Sequence, residues 1–266
     1  MSAGAAARWR PPPRIASRAT RRALWIGAAL YAVTAAITLD VDPARVAEGL
    51  ARAGTFFGGA LRPDFVTRWN DIRAGLLESL AMAAVSTVAG ALLALPLGLA
   101  AARNLVPAPV YAVARALLAV SRAFHEIIVA IFFVAMFGFG PFAGVVTLVV
   151  GSVGFLGKLL AEAVEEVDSA PLDALTTTGA AWPSRVAFAV LPQVMPRVLG
   201  LVLYRMDINF RESAVIGLVG AGGIGATLTT AFGRYEFESV AAILILIVAM
   251  VFATEVISGR VREALL

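Results

Sequence analysis

Cysteine is absent from this chain, histidine occurs once, and charged residues make up only 15% of the sequence. Without cysteine the chain can form no disulfide and offers no thiolate to a metal ion. His125 alone cannot supply the clustered histidines of a zinc site, so we expect no metal centre. Soluble domains carry charge on about a quarter of their residues, which makes a soluble fold a poor match.

Apolar residues dominate the chain. They account for 60% of the sequence, and the mean hydropathy is +0.85. The isoelectric point near 10.1 could suggest nucleic acid, but the basic residues flank apolar segments, as they do at the cytoplasmic ends of membrane helices. The composition therefore predicts an all-α, polytopic membrane helix bundle that contacts the lipid bilayer and not nucleic acid.

About six segments are long and apolar enough to cross a bilayer, which takes roughly 20 residues. An even number of crossings places both termini on one side, and the arginines among the first 22 residues favour the cytoplasm. This orientation is that of a multi-pass protein of a bacterial inner membrane. The segments are 24–41, 75–102, 110–136, 145–159, 192 to beyond 204, and 240–257.

Composition also divides the chain into regions. Residues 1–23 are basic, contain no acid and include three consecutive prolines, which predicts a disordered cytoplasmic tail. A cleaved signal or transit peptide is the alternative, although no clear small-residue cleavage site follows. Residues 24–74 hold the first span and an external amphipathic segment, and residues 75–266 form the main transmembrane domain.

Residues 160–192 are too polar to lie in lipid, although they separate two apolar segments. We expect short amphipathic helices at the cytoplasmic surface. Asp168 or Ser169 can cap the first of them, and Gly179 is where that helix would end. Pro183 suits the first turn of a further helix, which Pro192 would break or kink.

Charged and amide side chains interrupt two of the apolar segments. A charge at the bilayer centre costs about 2.5 to 3.5 kcal/mol on insertion scales, so such residues normally face a bundle interior or a wet cavity. Helical spacing predicts that Arg122 pairs with Glu126 and Asp207 with Arg211. Arginine suits phosphate-like oxygens and so favours an anion, while purely structural ion pairing is the alternative. The candidates for a translocation path are Arg122, Glu126, Arg205, Asp207, Asn209, Arg211 and Glu212.

A glycine-rich stretch matches the GxGxxG pattern of dinucleotide-binding enzymes, at Gly220, Gly222, Gly223 and Gly225. That pattern has meaning only within a βαβ unit with an acidic residue about 20 positions later, and no alternation of strands and helices is predicted here. The glycines are not followed by Lys and Ser or Thr, so the chain lacks a Walker A motif. We expect an irregular or tightly packed segment that serves gating or docks a delivery protein.

The surface loop resembles a cytoplasmic loop of ABC-importer membrane subunits. Their pattern is Glu-Ala-Ala, three residues, Gly, nine residues, Ile, one residue and Leu-Pro. In this chain Asp, Leu and Ala replace the Glu, the second Ala and the Ile, whereas the Gly and the Leu-Pro are kept. The matching positions are Asp173, Ala174, Leu175, Gly179, Ala189, Leu191 and Pro192.

Further stretches resemble the phosphonate branch of these permeases, and together they cover most of residues 78–260. The run at 211–225 is the most specific of them. Before Glu126 those permeases typically have a proline where this chain has His125, which leaves a kink there in doubt. The other similar stretches lie at 101–104, 138–143, 157–163 and 191–194.

The resemblance implies a homodimer that works with two copies of an ABC ATPase and with an external solute-binding protein. ATP and Mg²⁺ would bind to the ATPase and no cofactor to this chain, which would have no catalytic residue of its own. The helix from Asp173 to Gly179 would act as a lever, with Leu172 and Leu175 filling a cleft of the ATPase. The implied solute is a phosphonate or a related phosphorus oxyanion.

Two other functions remain open from the sequence. One is a permease of the same architecture for another small solute, such as methionine, another amino acid or another anion. The other is a membrane enzyme or scaffold that transports nothing. The enzyme has little support, since the chain offers neither a histidine pair nor a Ser-His-Asp set in a plausible pocket.

Overall fold

Helices account for nearly all regular structure in this protein. The computed structural model describes residues 17–38 and 42–265, and within these ranges there are eleven α-helices, one π-helical turn and no strand. The predicted all-α class is confirmed. The helices are α1 (Arg18–Thr38), α2 (Pro43–Ala60), α3 (Trp69–Ala100), α4 (Ala108–Ser121), α5 (Glu126–Phe137), α6 (Pro141–Glu165), α7 (Ser169–Thr177), α8 (Trp182–Arg185), α9 (Leu191–Gly217), α10 (Gly223–Gly233) and α11 (Phe237–Leu265), with the π turn at Val186–Val190.

The chain divides into two compact units between Phe57 and Gly58. The first unit contains α1 and most of α2. Helix α1 begins at Arg18, inside the segment predicted to be a tail, and residues 1–16 of that tail lie outside the described residues. Helix α2 begins at Pro43, where the carboxylate of Asp42 accepts the N–H of Ala44 at 2.9 Å, in the manner of an N-cap.

Four helical segments are each long and apolar enough to cross a membrane: α3, α6, α11 and the run Trp182–Gly217. The pairs α1 with α2 and α4 with α5 could each contribute one bent span, which raises the number to six. The predicted count of about six agrees with this upper value. The chain is therefore a multi-pass membrane protein.

The third predicted span is not the continuous helix that the hydropathy of residues 110–136 suggested. Helices α4 and α5 meet at an angle of 87°, so residues 122–125 form a sharp bend. His125 is extended (ψ 142°) and its ring nitrogen accepts the N–H of Ile127 at 3.4 Å, which caps α5 without the proline typical of similar permeases. Polar side chains at the bend compete with the helical backbone, and this favours a break there.

The polar loop is shorter than predicted at both ends. Helix α6 continues to Glu165, and α8, the π turn and α9 form one helical run of 36 residues from Trp182 to Gly217. Pro192 therefore does not interrupt this helical run. In the π turn the N–H of Leu191 donates to the carbonyl of Val186, and this wider turn just before the proline accommodates its missing donor.

Small residues allow α3, α6 and α9 to pack closely in the second unit. A Cβ on Gly98 of α3 would lie 2.7 Å from Leu160 and 3.0 Å from the carbonyl of Gly157 on α6. A Cβ on Gly217 would lie 2.8 Å from the Cα of Gly225, where α9 meets α10. Such close backbone approach is typical of membrane helices, whose association depends on van der Waals packing.

We predict that Gly225→Val destabilises the protein, because a Cβ there would collide with the carbonyl oxygen of Ala214 and lie 2.8 Å from Gly217. Overpacking of this kind costs about 1 to 3 kcal/mol. Thermal unfolding of the purified protein should show a melting temperature lower by several degrees. The control is Gly233→Val on the same helix, where a Cβ would meet nothing within 4 Å. Equal melting temperatures for the two variants would contradict this account.

Candidate functional site

Helix α7 is a short surface helix with defined ends. The side chain of Asp168 accepts the N–H of Ala170 at 3.0 Å, and Pro171 lies in the first turn. At the other end Gly179 has a φ of +74°, and the N–H of Ala180 reaches back to the carbonyl of Leu175 at 3.1 Å. A positive φ favours glycine at this stop. The predicted cap and the predicted end of the helix are both confirmed.

One face of α7 packs on its own subunit. Leu172 is partly buried against a cluster that includes Leu99, Leu160 and Val190. It is therefore partly covered by its own chain, and its contact with an ATPase stays a prediction. Its burial follows from packing between helices distant in sequence, which the local pattern does not reveal.

The remaining predicted coupling residues do not share one environment. Asp173, Ala174 and Gly179 are exposed, and so is Pro192 at the start of α9. Leu175 is half-buried on α7. Leu191 packs against the same internal cluster as Leu172. The free surface of α7 is thus centred on Asp173 and Ala174.

Glu165 at the end of α6 holds parts of three helices together. Its Oε1 accepts the backbone N–H of Arg103 and a guanidinium N–H of Arg115, both at 2.9 Å. Arg115 also donates through Nε to the carbonyl of Ala101 at 2.8 Å. The side chain of Asn104 donates to the carbonyl of Val164 at 2.8 Å. We call these contacts the Glu165 clamp; they join the ends of α3 and α6 to the middle of α4.

A second set of contacts ties the base of α7 to α9. Arg197 donates to Glu166, which forms the C-cap of α6. Gln193 receives the backbone N–H of Asp168 at 3.0 Å and donates to the carbonyl of Ala189 at 2.7 Å. The N-cap of α7 is thereby fixed to α9, and α9 is fixed to the end of α6 just before α7.

The sequence analysis missed several residues of these contacts. Asn104 and Gln193 lie in stretches that resemble other permeases, but no local pattern shows what they bind. Arg115 lies alone in an apolar run, which is the one signal that could have identified it.

A chain of polar side chains crosses the interior of the bundle. Arg205 of α9 is only 3% exposed, and its Nε donates to the hydroxyl of Ser152 on α6 at 3.0 Å. The amide of Asn209 donates to Ser152 at 2.9 Å and to Thr87 on α3 at 2.8 Å. Arg205 and Asn209 thus share an inward face, as predicted, whereas Ser152 and Thr87 gave no sequence signal.

Beside Arg205 lies a cavity of about 120 Å³ at the bend between α4 and α5. Glu126 lies 3.7 Å from the Nη2 of Arg205, and the predicted pair of Arg122 with Glu126 is absent from the described contacts. Arg122 ends α4 and Glu126 begins α5, so they are not one turn apart on a single helix. The cavity is lined by Ser121, Arg122, Phe124, Glu126, Val129, Thr147, Gly151, Phe155 and Arg205.

The other charged candidates do not line this cavity, although Glu212 lies close enough to Arg205 and Glu126 to interact with their charges. Asp207 is buried and accepts from Arg211 at 2.6 Å, which is the predicted i,i+4 pair, and from Thr254 of α11 at 3.0 Å. Arg211 is exposed and Glu212 is half-buried. Neither they nor Asp207 line the cavity beside Arg205. Three of the seven candidates, Arg122, Glu126 and Arg205, thus line the described cavity, and a path through the others stays a prediction.

The glycine segment is a tight turn that leads into α10. Gly220, Gly222 and Gly223 have φ values of +93°, +81° and +69°. Glu78 accepts the N–H of Gly223 at 2.8 Å, and Ser79 accepts the N–H of Ile224 at 3.0 Å. These two side chains of α3 cap α10, so the predicted tight packing is confirmed, and the absence of strands from the described residues rules out a βαβ unit around these glycines.

An ion pair lies close to this turn. Arg68, just before α3, donates to both carboxylate oxygens of Glu236, just before α11. These hydrogen bonds lower the pKa of Glu236 below its usual value and raise the pKa of Arg68. Both residues precede long apolar helices, so the pair fixes how α3 and α11 begin. Arg68 and Glu78 line a surface cavity of about 310 Å³ that reaches Gly222.

Comparison with known proteins supports a transport role. Residues 94–265 match the family described as binding-protein-dependent transport system inner membrane component. A phosphite transport system permease protein of Stutzerimonas stutzeri is 42% identical over 84% of this chain and 81% of its own length. The phosphate-import permease protein of Mycolicibacterium smegmatis is 39% identical over 88% of this chain, which spans only 44% of that relative's length.

A solved structure shows the same fold. An inward-facing methionine ABC transporter superposes with a TM-score of 0.65 over 73% of this chain and 96% of its own, at 24% sequence identity. Family members are membrane subunits that act with a separate ATPase and a substrate-binding protein. Because the matched region covers more than half of its residues, this chain belongs to the binding-protein-dependent transport system inner membrane components, the permease subunits of ABC importers.

Proposed function

We propose that this permease moves a phosphonate or a related phosphorus oxyanion across the bacterial inner membrane, driven by a separate ATPase. The observation that carries the proposal is α7, a surface helix with a free face at Asp173 and Ala174 and with its N-cap, Asp168, bound to Gln193 of α9. A helix held in this way can be moved by a partner and can pass that movement to the bundle.

The movement has a defined route. Leu172 and Leu191 seat α7 on the internal cluster, so a displacement of α7 acts on α9 at once. The Glu165 clamp then links α6 to α3 and α4. ATP and Mg²⁺ bind to the ATPase subunit. The nucleotide changes the conformation of the bundle because the two conformations of the complex bind nucleotide with different affinities.

The assembly contains two copies of this chain, two ATPase subunits and an external solute-binding protein. ATP closes a pair of ATPase subunits, and each ATPase subunit binds one α7. A second copy of this chain is needed to supply the second α7. The glycine turn and the cavity near Arg68 and Glu78 provide the surface for the binding protein, at the opposite ends of α3 and α9 from the Glu165 clamp. Both termini lie in the cytoplasm.

Two observations favour a phosphorus oxyanion as the solute. The relatives that match most of this chain at about 40% identity are named for phosphite or phosphate transport. A buried arginine, Arg205, also lies beside a cavity within the bundle, where an anion would be favoured. A methionine permease is the alternative, but the similarity to the methionine transporter, at 24% identity, shows the fold alone.

We expect Ala174→Arg to reduce retention of the ATPase, because a long charged side chain would stand on the free face of α7. The permease is co-expressed with the ATPase encoded beside it, and the ATPase that co-purifies is measured. The control is Thr230→Arg, an exposed position on α10. Equal retention in the two variants would contradict docking at α7.

Glu165→Gln should weaken coupling without loss of the ATPase. The neutral amide would hold Arg115 and Arg103 less strongly, so movement of α7 would reach α3 and α4 less completely. Stimulation of ATP hydrolysis by loaded binding protein should fall by roughly fivefold or more, because coupling between two sites usually changes affinity by at least about this factor. Glu162→Gln, which breaks only an exposed pair with Lys158, should retain stimulation. The route through the clamp is wrong if both variants behave like the wild type.

The lack of cysteine provides a clean background for a test of orientation. Thr177→Cys on α7 should react with a membrane-impermeant maleimide only in inside-out vesicles. Arg234→Cys, in the exposed turn between α10 and α11, should react only in right-side-out vesicles. Labelling of both positions from the same side would exclude the proposed topology.

A further inference from the structure

Arg205 is the least satisfied cation in the described part of the bundle interior. Its Nε is bound to Ser152 and its guanidinium lies over the ring of Phe155, with 5.5 Å between Cζ and the ring centroid. Its Nη2 is buried, yet among the described residues it has no hydrogen-bond partner. Glu126, at 3.7 Å, balances part of the charge but is too far away to accept a hydrogen bond.

An unsatisfied donor at this depth is costly. A buried polar group without a partner costs about 1 to 3 kcal/mol, and a charged group costs more. Native structures rarely keep such a group without a use for it. The side chain is also held in place, since Ser152 is itself bound to Asn209, which is bound to Thr87. Arg205 is therefore positioned in advance with one donor left over.

The cavity beside that donor has the character of an anion site. Arg122 and Arg205 contribute two positive charges to its lining and Glu126 contributes one negative charge. Helix α5 begins at Glu126 after the bend, so the positive end of its dipole lies at the cavity wall. Gly151 leaves room for the guanidinium at the cavity wall, because a Cβ there would lie 2.7 Å from the Nη2 of Arg205.

The size of the cavity also fits a small solute. Its volume of about 120 Å³ corresponds to about four water molecules at their liquid volume of about 30 Å³ each. A tetrahedral anion such as phosphite or methylphosphonate, with four or five non-hydrogen atoms, occupies a comparable space. A larger organic substituent would have to project past Glu126, whose side chain is 24% exposed.

We infer that this cavity is a binding station for one small tetrahedral oxyanion inside the bundle, an inference that rests on the proposed transport function. The Nη2 of Arg205 donates to an oxygen of the anion, and Arg122 supplies the second positive charge. Glu126 is the resident counter-ion, and it turns outward when the anion arrives. When no solute is bound, the carboxylate of Glu126 lies beside Arg205. The guanidinium therefore always has a negative charge near it.

The first experiment measures anion binding to the permease without its ATPase. The protein is purified in a maltoside detergent free of phospholipid, and its melting temperature is recorded against increasing phosphite or methylphosphonate. We expect a saturable rise in the wild type. In Gly151→Ala, which narrows the cavity and keeps every charge, the apparent affinity should fall by roughly tenfold or more, the size expected for one lost charged hydrogen bond.

Two control variants and one further variant of Arg205 define the site. Gly233→Ala lies where a Cβ meets nothing within 4 Å, and it should bind like the wild type. Arg234→Met removes a guanidinium from the exposed turn between α10 and α11, outside the cavity, and it should also retain binding. Arg205→Lys should bind weakly, because lysine keeps the charge but loses the forked donor. Unchanged affinity in both Gly151→Ala and Arg205→Lys would overturn the station.

A phospholipid headgroup offers the same phosphate chemistry as the free solute. The melting curves are therefore repeated with added phosphatidylglycerol and no free anion. A rise that Gly151→Ala abolishes, in the absence of any response to phosphite, would assign the cavity to lipid and overturn the solute station.

A second experiment separates failure of the station from failure of the transport function. ATP hydrolysis by the full complex in liposomes is measured with binding protein loaded with phosphite. Stimulation that is equal in the wild type and in Gly151→Ala would overturn the station and leave the permease function intact. No stimulation of the wild type by any phosphorus oxyanion would overturn the proposed function itself.

Discussion

Polar groups inside a lipid-facing bundle must find partners within the protein, and that constraint decides how this chain is arranged. The guanidinium of Arg205 is almost fully buried, and it bonds to Ser152 of α6 and, through it, to Asn209 and Thr87 in one chain of hydrogen bonds. These contacts join α3, α6 and α9 at mid-height. The small residues on the same helices then allow their backbones to approach closely.

The same constraint operates at the two ends of the bundle. At one end the Glu165 clamp satisfies backbone groups of Ala101, Arg103 and Val164 where helices stop. At the other end Glu78 and Ser79 satisfy the first N–H groups of α10. The bundle thus has three polar layers: the Glu165 clamp, the hydrogen bonds around Arg205, and the cap that Glu78 and Ser79 form. The long helices connect these layers.

Local patterns in the sequence predicted the ends of α7 well, because Asp168, Pro171 and Gly179 act through the backbone of their own neighbours. They also predicted the Asp207 and Arg211 pair, which lies within one turn of one helix. The prediction for Arg122 and Glu126 was wrong, since it assumed an unbroken helix where α4 and α5 turn by 87°. Leu172 also packs against residues far away in the chain, a contact that the local pattern does not show.

Sequence by itself determined that this protein is an all-helical membrane permease with a surface helix at residues 169–177, because hydropathy, capping and the loop pattern are local properties. Only the tertiary structure decided which charges meet. Glu126 faces Arg205, 79 positions away, and Glu165 faces Arg115, because packing of separate helices brings them together. Such contacts depend on how helices cross, and helix crossing depends on the shape of many side chains at once.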